Sequence, residues 1–308
     1  MAKTAWLFPG QGSQYAGMGK ELAANFAVAR QVFEEADDAL GFKLSALCFE
    51  GPDNDLKLTY NTQPAILTTS IATLAVVRQE TGLKPDCVAG HSLGEYSALV
   101  ATGALSLADA VTTVRSRGTF MQEAVPVGVG AMAAMLSIEA DELAVICEEA
   151  AQGDVVAPAN FNSPGQIVIA GHASAVQRAI DIAKGRGFRK AMLLPVSAPF
   201  HCSLMQPAAD RLAAVLAGIS INALTVPVVS NVEATSNGDA GRVAELLVAQ
   251  VCAPVRWEQS VLTMRHDGVE RFIEIGPGKV LSGLVKRIDK EASLANIEDS
   301  TGLAGLAG

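Results

Sequence analysis

The chain has 308 residues, half of them apolar and 18% charged, which suits a folded enzyme of one or two domains with a substantial core and excludes a disordered chain. Lys and Arg number 23 against 32 Asp and Glu, and the net charge of −9 excludes broad nucleic-acid or anionic-membrane binding while leaving room for a local basic patch. Five widely spaced cysteines without a CxxC pair argue against a disulfide framework or structural zinc, and no run approaches the ~18 apolar residues of a membrane span. The polar Gly10-Gln11-Gly12-Ser13-Gln14 follows too short an apolar stretch for a signal peptide, so a cytoplasmic location is expected.

Thr4 to Phe8 reads as a short buried strand stopped by Pro9-Gly10, and a helical pattern runs from about Tyr15 to Leu40. Gln63 to Glu80 predicts a long apolar helix, ended by Gly82 and Pro85. Asp86 to Gly90 predicts a second buried strand and Ser92 to Gly103 a helix entered through a sharp turn. Ser106 fits the N-cap of a helix to about Met121. The middle third predicts a strand (Gly130 to Leu136), a helix (Ile138 to Ala151), strands at Val155 to Asn160 and Gln166 to Ala170 around the turn Ser163-Pro164-Gly165, a helix (Ala173 to Gly185) and a strand (Arg189 to Leu194). That βαββαβ order is the ferredoxin-like unit. The α/β pattern then resumes, with helices at Leu204 to Ala217, Gly241 to Gln250, Trp257 to His266 and Lys279 to Arg287, and strands at Val226 to Ser230 and Arg271 to Ile275. The tail from about Thr301 is expected to fray. The expected architecture is α/β: a large α/β-hydrolase-like domain with a mainly parallel sheet (1–126 and 197–308) and an inserted ferredoxin-like subdomain (127–196).

Gly90-His91-Ser92-Leu93-Gly94 fits G-x-S-x-G between a predicted strand and a predicted helix. In that context Ser92 sits on a nucleophile elbow, and the helix N-terminus behind it favours a developing oxyanion. The bland alternative is a capping serine in an ordinary turn. A serine hydroxyl needs a base. His91 lies inside the elbow and is expected to aim away from Ser92; His172 opens a predicted helix; His266, beside Asp267-Gly268, fits a surface loop. By elimination His201, in Val196-Ser197-Ala198-Pro199-Phe200-His201-Cys202 after the insertion, is the best base, although position alone leaves a structural histidine standing level with it.

Phe8-Pro9-Gly10-Gln11-Gly12-Ser13-Gln14, Gly90-His91-Ser92-Leu93-Gly94-Glu95-Tyr96, Arg115-Ser116-Arg117-Gly118, Pro199-Phe200-His201 and Glu274-Ile275-Gly276-Pro277-Gly278 occur in that order. With them the chain resembles, over essentially its whole length, the malonyl-CoA:acyl carrier protein transacylase family of fatty-acid synthesis. The resemblance implies that Ser92 takes the acyl group as an ester and His201 serves as base and then acid. Arg117 pairs with the free carboxylate of the malonyl group, which a guanidinium fork matches bidentately. Gln11 and the backbone N–H of Leu93 form the oxyanion hole, and Gln250 stands where a backbone carbonyl orients the histidine. Substrates are then malonyl-CoA and phosphopantetheinylated acyl carrier protein, with CoA released, no cofactor and no metal ion, in a ping-pong reaction by a monomer. Without the resemblance, Arg117 reads as a surface charge at a helix end and Gln11 as a turn residue.

Phe200 is expected to disfavour a branched methylmalonyl group. Asn160 and Asn162, at the edge of the insertion, are expected either to hold substrate in the cleft or to serve turn chemistry. An acidic carrier needs a basic landing site, and two candidates stand out: Lys184, Arg186, Arg189 and Lys190, and the pair Lys286-Arg287, each also readable as a solvated face. Two other readings stay open. A serine thioesterase or esterase on the same elbow needs a third carboxylate, with Asp109, Asp141, Asp154 and Asp181 available between Ser92 and His201. A carrier-binding module without catalysis needs none of the set intact. Gly128-Val129-Gly130-Ala131-Met132-Ala133 and Gly276-Pro277-Gly278-Lys279 fail as dinucleotide and P-loop motifs on context.

Overall fold

The computed structural model describes residues 3–196 and 198–306; Ser197, at the expected domain boundary, lies outside them. Lys3–Phe8 (β1) is buried along Ala5 to Phe8, the continuous apolar run of a strand covered on both faces. Lys20–Asn25 (α1) and Ala27–Leu40 (α2) replace the single helix expected from Tyr15: Phe26 between them is extended, at φ −122° and ψ 120°, and breaks the ladder without a Pro or Gly to mark it. Leu44–Glu50 (α3) and Asp53–Leu56 (α4), too short to show a periodicity, were not expected. Thr59–Thr81 (α5) starts a turn earlier than predicted and carries Pro64 inside it. Pro64 lacks the N–H that would bond Tyr60 O, and Arg115 Nη1 donates to that carbonyl instead at 3.2 Å. Cys87–Gly90 (β2), Gly94–Ala101 (α6) and Leu107–Glu123 (α7) follow as read, and Ser106 Oγ caps α7 by accepting from Asp109 N at 3.0 Å.

Gly130–Leu136 (β3), Ala140–Ala151 (α8), Val156–Ser163 (β4), Gln166–His172 (β5), Ala173–Gly185 (α9) and Ala191–Leu193 (β6) form a four-stranded antiparallel sheet in the order β4-β5-β3-β6, the ferredoxin-like arrangement. One face packs α8 and α9 through Met135, Leu143, Ile146, Ile169, Val176 and Ile180, while Met132, Val168 and Ala170 join the main core. The chain continues through Gln206–Leu216 (α10), Val228–Val229 (β7), Ser236–Asn237 (β8), Val243–Cys252 (α11), Trp257–His266 (α12), Val269–Ile275 (β9), Val280–Ile288 (α13), Ser293–Ile297 (β10) and Ser300–Ala304 (α14). Strand β10 was not expected. The tail does not fray at Thr301, because Asp299 accepts from Gly302 N at 2.8 Å and caps α14.

The large sheet runs β10-β9-β1-β2-β7-β8, parallel except for β8. The chain leaves β1 towards β2 on one side and returns as β9 on the other, so the crevice of this α/β sheet opens at the carboxyl ends of β1 and β2. Among the described residues no helix is long and apolar enough to cross a membrane.

The turn after β2 has no spare space. A Cβ on Gly90 would stand 1.9 Å from the Gly94 carbonyl, and one on Gly94 2.0 Å from Phe8 O. Gly90→Ala should destabilise the protein by about 3 kcal/mol or more, read as a lowered midpoint in thermal or urea unfolding; wild-type stability would contradict this packing.

Candidate active site

Ser92 occupies the turn between β2 and α6 with φ 52°, a left-handed conformation that a side chain rarely adopts. Asn231, at the end of β7, braces it from both sides: its Oδ1 accepts from Ser92 N at 2.6 Å and its Nδ2 donates to Gly90 O at 2.7 Å. The loop after β1 lies directly on this turn, since a Cβ on Gly10 would meet His91 O at 2.4 Å. The hydroxyl is thereby pushed into a cleft of about 120 Å³ between the two sheets. That is small beside the ~300–1,000 Å³ of drug-sized sites and suits a short acyl group.

His201 Nε2 lies 2.8 Å from Ser92 Oγ, and His201 Nδ1 lies 2.8 Å from Gln250 O. A carbonyl only accepts, so the proton sits on Nδ1 and Nε2 is free to take the serine proton. His201 is 4% exposed and itself left-handed, at φ 60°. Burial first, and then the charge of Arg117, push the imidazole down to about 3. It is therefore neutral at physiological pH. The other histidines stand aside: His91 Nε2 pairs with Asn162 Oδ1 at 2.8 Å, His172 Nδ1 accepts from Val155 N, and His266 is exposed.

None of the four aspartates considered for a triad is the partner of His201 Nδ1. Asp109 accepts from Ser106, Asp154 pairs with Arg178 at 2.9 Å, Asp181 accepts from Gln177, and Asp141 lies in the first turn of α8.

Arg117 is not a surface charge: it is 2% exposed in the middle of α7. Gly118 lets α7 approach α5 closely, because a Cβ there would lie 2.7 Å from Tyr60 Cα. The guanidinium donates from Nη1 to Gln63 Oε1 at 2.8 Å and from Nη2 to Gln250 Oε1 at 2.9 Å and Ser92 Oγ at 3.2 Å. The guanidinium also lies over the ring of the buried Tyr96, 5.6 Å from its centroid. Burial lowers its pKa, but an arginine keeps its charge.

Gln11, Leu93, Asn160 and Phe200 all line the cleft, together with Gln63, Met121, Met132, Leu194 and Val196. Among the described residues nothing accepts from the backbone N–H of Gln11 or of Leu93. Asn162 is not brought to the cleft wall: its side chain is taken by His91, and with Asn160 it marks the inner edge of β4. Gln250 lies behind the wall. Its carbonyl meets His201, and its side chain also bonds Arg117, Ser92 O at 3.0 Å and Glu95 Oε2 at 2.7 Å. Sequence reading missed Gln63, Glu95 and Asn231. Only Asn231 left a signal, by following a predicted strand whose carboxyl end must face the crevice.

The two basic clusters are neighbours in space. Lys190 and Arg287 line one surface cleft with Gln166, which accepts from Arg287 Nη1 at 2.6 Å. Arg186 is taken out of play by Glu142 and Glu149.

Residues 5–304 match the acyl transferase domain family. The chain is 51% identical over 306 residues to the malonyl CoA-acyl carrier protein transacylase of Escherichia coli strain K12, covering 99% of this chain and 98% of that one. Among solved structures it is similar to the malonyl CoA-acyl carrier protein transacylase of Coxiella burnetii, with a TM-score of 0.97, 44% identity, and 99% and 96% of the two chains covered. It is also similar to a malonyl-transacylase in complex with a type II PKS acyl-carrier protein, with a TM-score of 0.96, 46% identity and 98% of each chain covered.

The low folded-state value of His201 has a measurable sign. The unfolded chain binds the proton first, so His201 contributes stability that is present above about pH 6.5 and is lost as pH falls towards about 3. In an NMR titration its ring resonances should stay in the neutral form from pH 8 down to 5; a midpoint between 6 and 7 would contradict the buried geometry.

Proposed function

The chain belongs to the acyl transferase family, and we infer that it transfers a malonyl group from malonyl-CoA to the phosphopantetheine thiol of acyl carrier protein, as in fatty-acid synthesis, through an ester on Ser92. The observation that carries the assignment of residues is the 3.2 Å contact between Arg117 Nη2 and Ser92 Oγ. A buried cation at the nucleophile suits an acyl group that is itself a carboxylate at its far end, and leaves an unpaired charge against acyl groups that lack one.

Each half-reaction then follows from the geometry. In the resting cleft Arg117 donates to Ser92 Oγ; the malonyl carboxylate takes over that guanidinium and frees the oxygen lone pair. Ser92 passes its proton to His201 Nε2 as Oγ bonds the thioester carbon. The oxyanion falls to the free N–H groups of Gln11 and Leu93, each worth ~2.7–4 kcal/mol in comparable sites. Gln250 O holds the imidazolium through Nδ1–H. The intermediate expels the CoA sulfur, which takes the proton from His201. The carrier thiol repeats the sequence in reverse, giving its proton to His201 and taking the malonyl group from Ser92. The chain and its two substrates supply every group these steps use. Phe200, with Met132, Leu194 and Val196, crowds the carbon between the two carbonyls and selects against an α-methyl branch.

The carbonyl rather than carboxylate on His201 Nδ1 favours transfer over the hydrolase reading, and the complete set of donors around Ser92 favours it over a binding module. The carrier docks on the cleft of Lys190 and Arg287, where positive side chains meet an acidic partner. From there the 127–196 unit leads to the active site: β3 joins Leu136 beside the basic cleft to Met132 beside Ser92, roughly 13 Å along an extended strand.

Intact-protein mass spectrometry with malonyl-CoA tests the residues together. Wild type should carry a malonyl adduct that carrier protein discharges faster than water does, and Ser92→Ala should carry none. Arg117→Ala should lower malonyl kcat/KM about a hundredfold or more, the scale of truncating a buried charge partner, without lowering acetyl transfer. Phe200→Ser should raise the methylmalonyl-to-malonyl ratio. An adduct discharged mainly by water points to the hydrolase, and unchanged ratios remove Arg117 and Phe200 from their roles. Lys190→Glu with Arg287→Glu should raise KM for the carrier about tenfold, less at high salt, and leave KM for malonyl-CoA unchanged; an equal effect on both substrates would rule out docking there.

A further inference from the structure

Glu95 is a carboxylate buried in the first turn of α6, and no step above uses it. Its Oε2 accepts from Gln250 Nε2 at 2.7 Å and from Asn231 N at 3.1 Å. Both partners serve the elbow and the base: Asn231 braces Ser92, and Gln250 places its carbonyl on His201 and its Oε1 on Arg117. Among the described residues these contacts form one network from Glu95 through the Gln250 amide to the guanidinium. The Gln250 side chain has one acceptor end and one donor end. Arg117, a pure donor, takes the first; Glu95 and Ser92 O, acceptors, take the second. The charge that balances Arg117 in the resting protein thus stands one amide away from it, on the side opposite the acyl cleft.

Taking the malonyl-transfer reading as its premise, we propose that Glu95 is a positioning residue for the reaction: its negative charge, relayed through the Gln250 amide, holds Arg117 and His201 in register and offsets the second positive charge that appears when His201 takes the serine proton. Two cations, the guanidinium and the imidazolium, must coexist around Ser92 Oγ in the transition state. A fixed buried anion behind them lowers that cost where a neutral amide of the same shape does not. The position also suits a carboxylate locally, because it lies at the N-terminal turn of a helix. That local effect alone would make Glu95 a stabilising group with no hold on the reaction rate.

The charged state of Glu95 is open to titration. Burial pushes its carboxyl up to about 7 against the opposing pull of Gln250, Asn231 and Arg117. The titratable and charged groups facing it are Arg117 on α7 and the adjoining Tyr96 on α6; Leu99, Val228, Ser230, Asn237, Val243 and Leu246, around the small cavity on its other side, carry none. With His201 held near 3, an acid limb in acylation between pH 6 and 8 belongs to Glu95.

Rapid-quench mass spectrometry of Ser92 acylation by malonyl-CoA from pH 5.5 to 9, on wild type, Glu95→Gln and Glu95→Asp, tests this. Wild type should speed up with pH through a midpoint near 7. Glu95→Gln should acylate about tenfold more slowly and lose that midpoint, on the scale of one charge lost from a buried network. Glu95→Asp should recover part of the rate with a displaced midpoint. A flat wild-type profile overturns the proposal and needs no variant to fold. So does Glu95→Gln with the wild-type rate and profile, or with Glu95→Asp impaired to the same degree and both profiles unmoved, the result of a purely structural role. Absence of any Ser92 adduct on wild type would instead overturn the malonyl-transfer reading itself.

Discussion

The left-handed turn at Ser92 is the constraint on which the rest of the cleft depends. Holding a serine at φ 52° costs on the order of 1–3 kcal/mol, and His201 at φ 60° adds a second such cost. The surroundings must over-determine both. At Ser92 they do so by contact: the Gly94 carbonyl presses on Gly90, the Phe8 carbonyl presses on Gly94, and Asn231 ties Ser92 N and Gly90 O from outside. Three strand ends, of β1, β2 and β7, therefore meet at one residue, and the parallel order of the large sheet is what brings those ends together.

A second constraint is electrostatic. Arg117, His201 and Glu95 are all buried within one hydrogen-bonded cluster, where an unpaired charge costs several kcal/mol. The cluster meets that cost through Gln63 and Gln250, neutral amides that each offer an acceptor to the guanidinium. Amides solvate the charge without neutralising it, which leaves it available to an incoming carboxylate. On the proposed role of Arg117, a direct Glu95–Arg117 ion pair at the same place would have closed the site to a malonyl group.

Much of this architecture is written in short-range pattern. The inserted βαββαβ unit shows in the sequence because its strands alternate with helices whose small, apolar faces repeat at helical spacing, and α9 begins and ends where that spacing does. The break at Phe26 is invisible because it comes from tertiary packing and not from a residue that forbids helix. Strand β10 is missed because Ser293 to Ile297 is a short edge strand that pairs only with β9, is mostly half-buried and lacks strict alternation. At the site, Ser92 announces itself through two glycines that have a steric reason to be there. Arg117 does not: nothing in the periodicity of α7 says that its centre is buried against α5, and only the resemblance pointed to it. Glu95 and Gln250 were present as letters beside motifs, but their coupling is a contact between residues 155 positions apart.

The cleft is made by two different pieces of chain. Ser92, Leu93, Gln11 and Arg117 come from the large sheet and its helices, whereas Met132, Asn160, Leu194 and Val196 come from the small antiparallel unit and its exit, as neighbours across the cleft. The small sheet keeps a core of its own beneath α8 and α9, while its other face, through Met132, Val168 and Ala170, packs into the main core. Bond-making is confined to one wall whereas the acyl chamber is bounded by both, so a change on the small-sheet side resizes the chamber while the opposite wall stays under the rigid demands of its backbone. A scaffold divided like this can give rise to relatives that load different acyl units with the same serine.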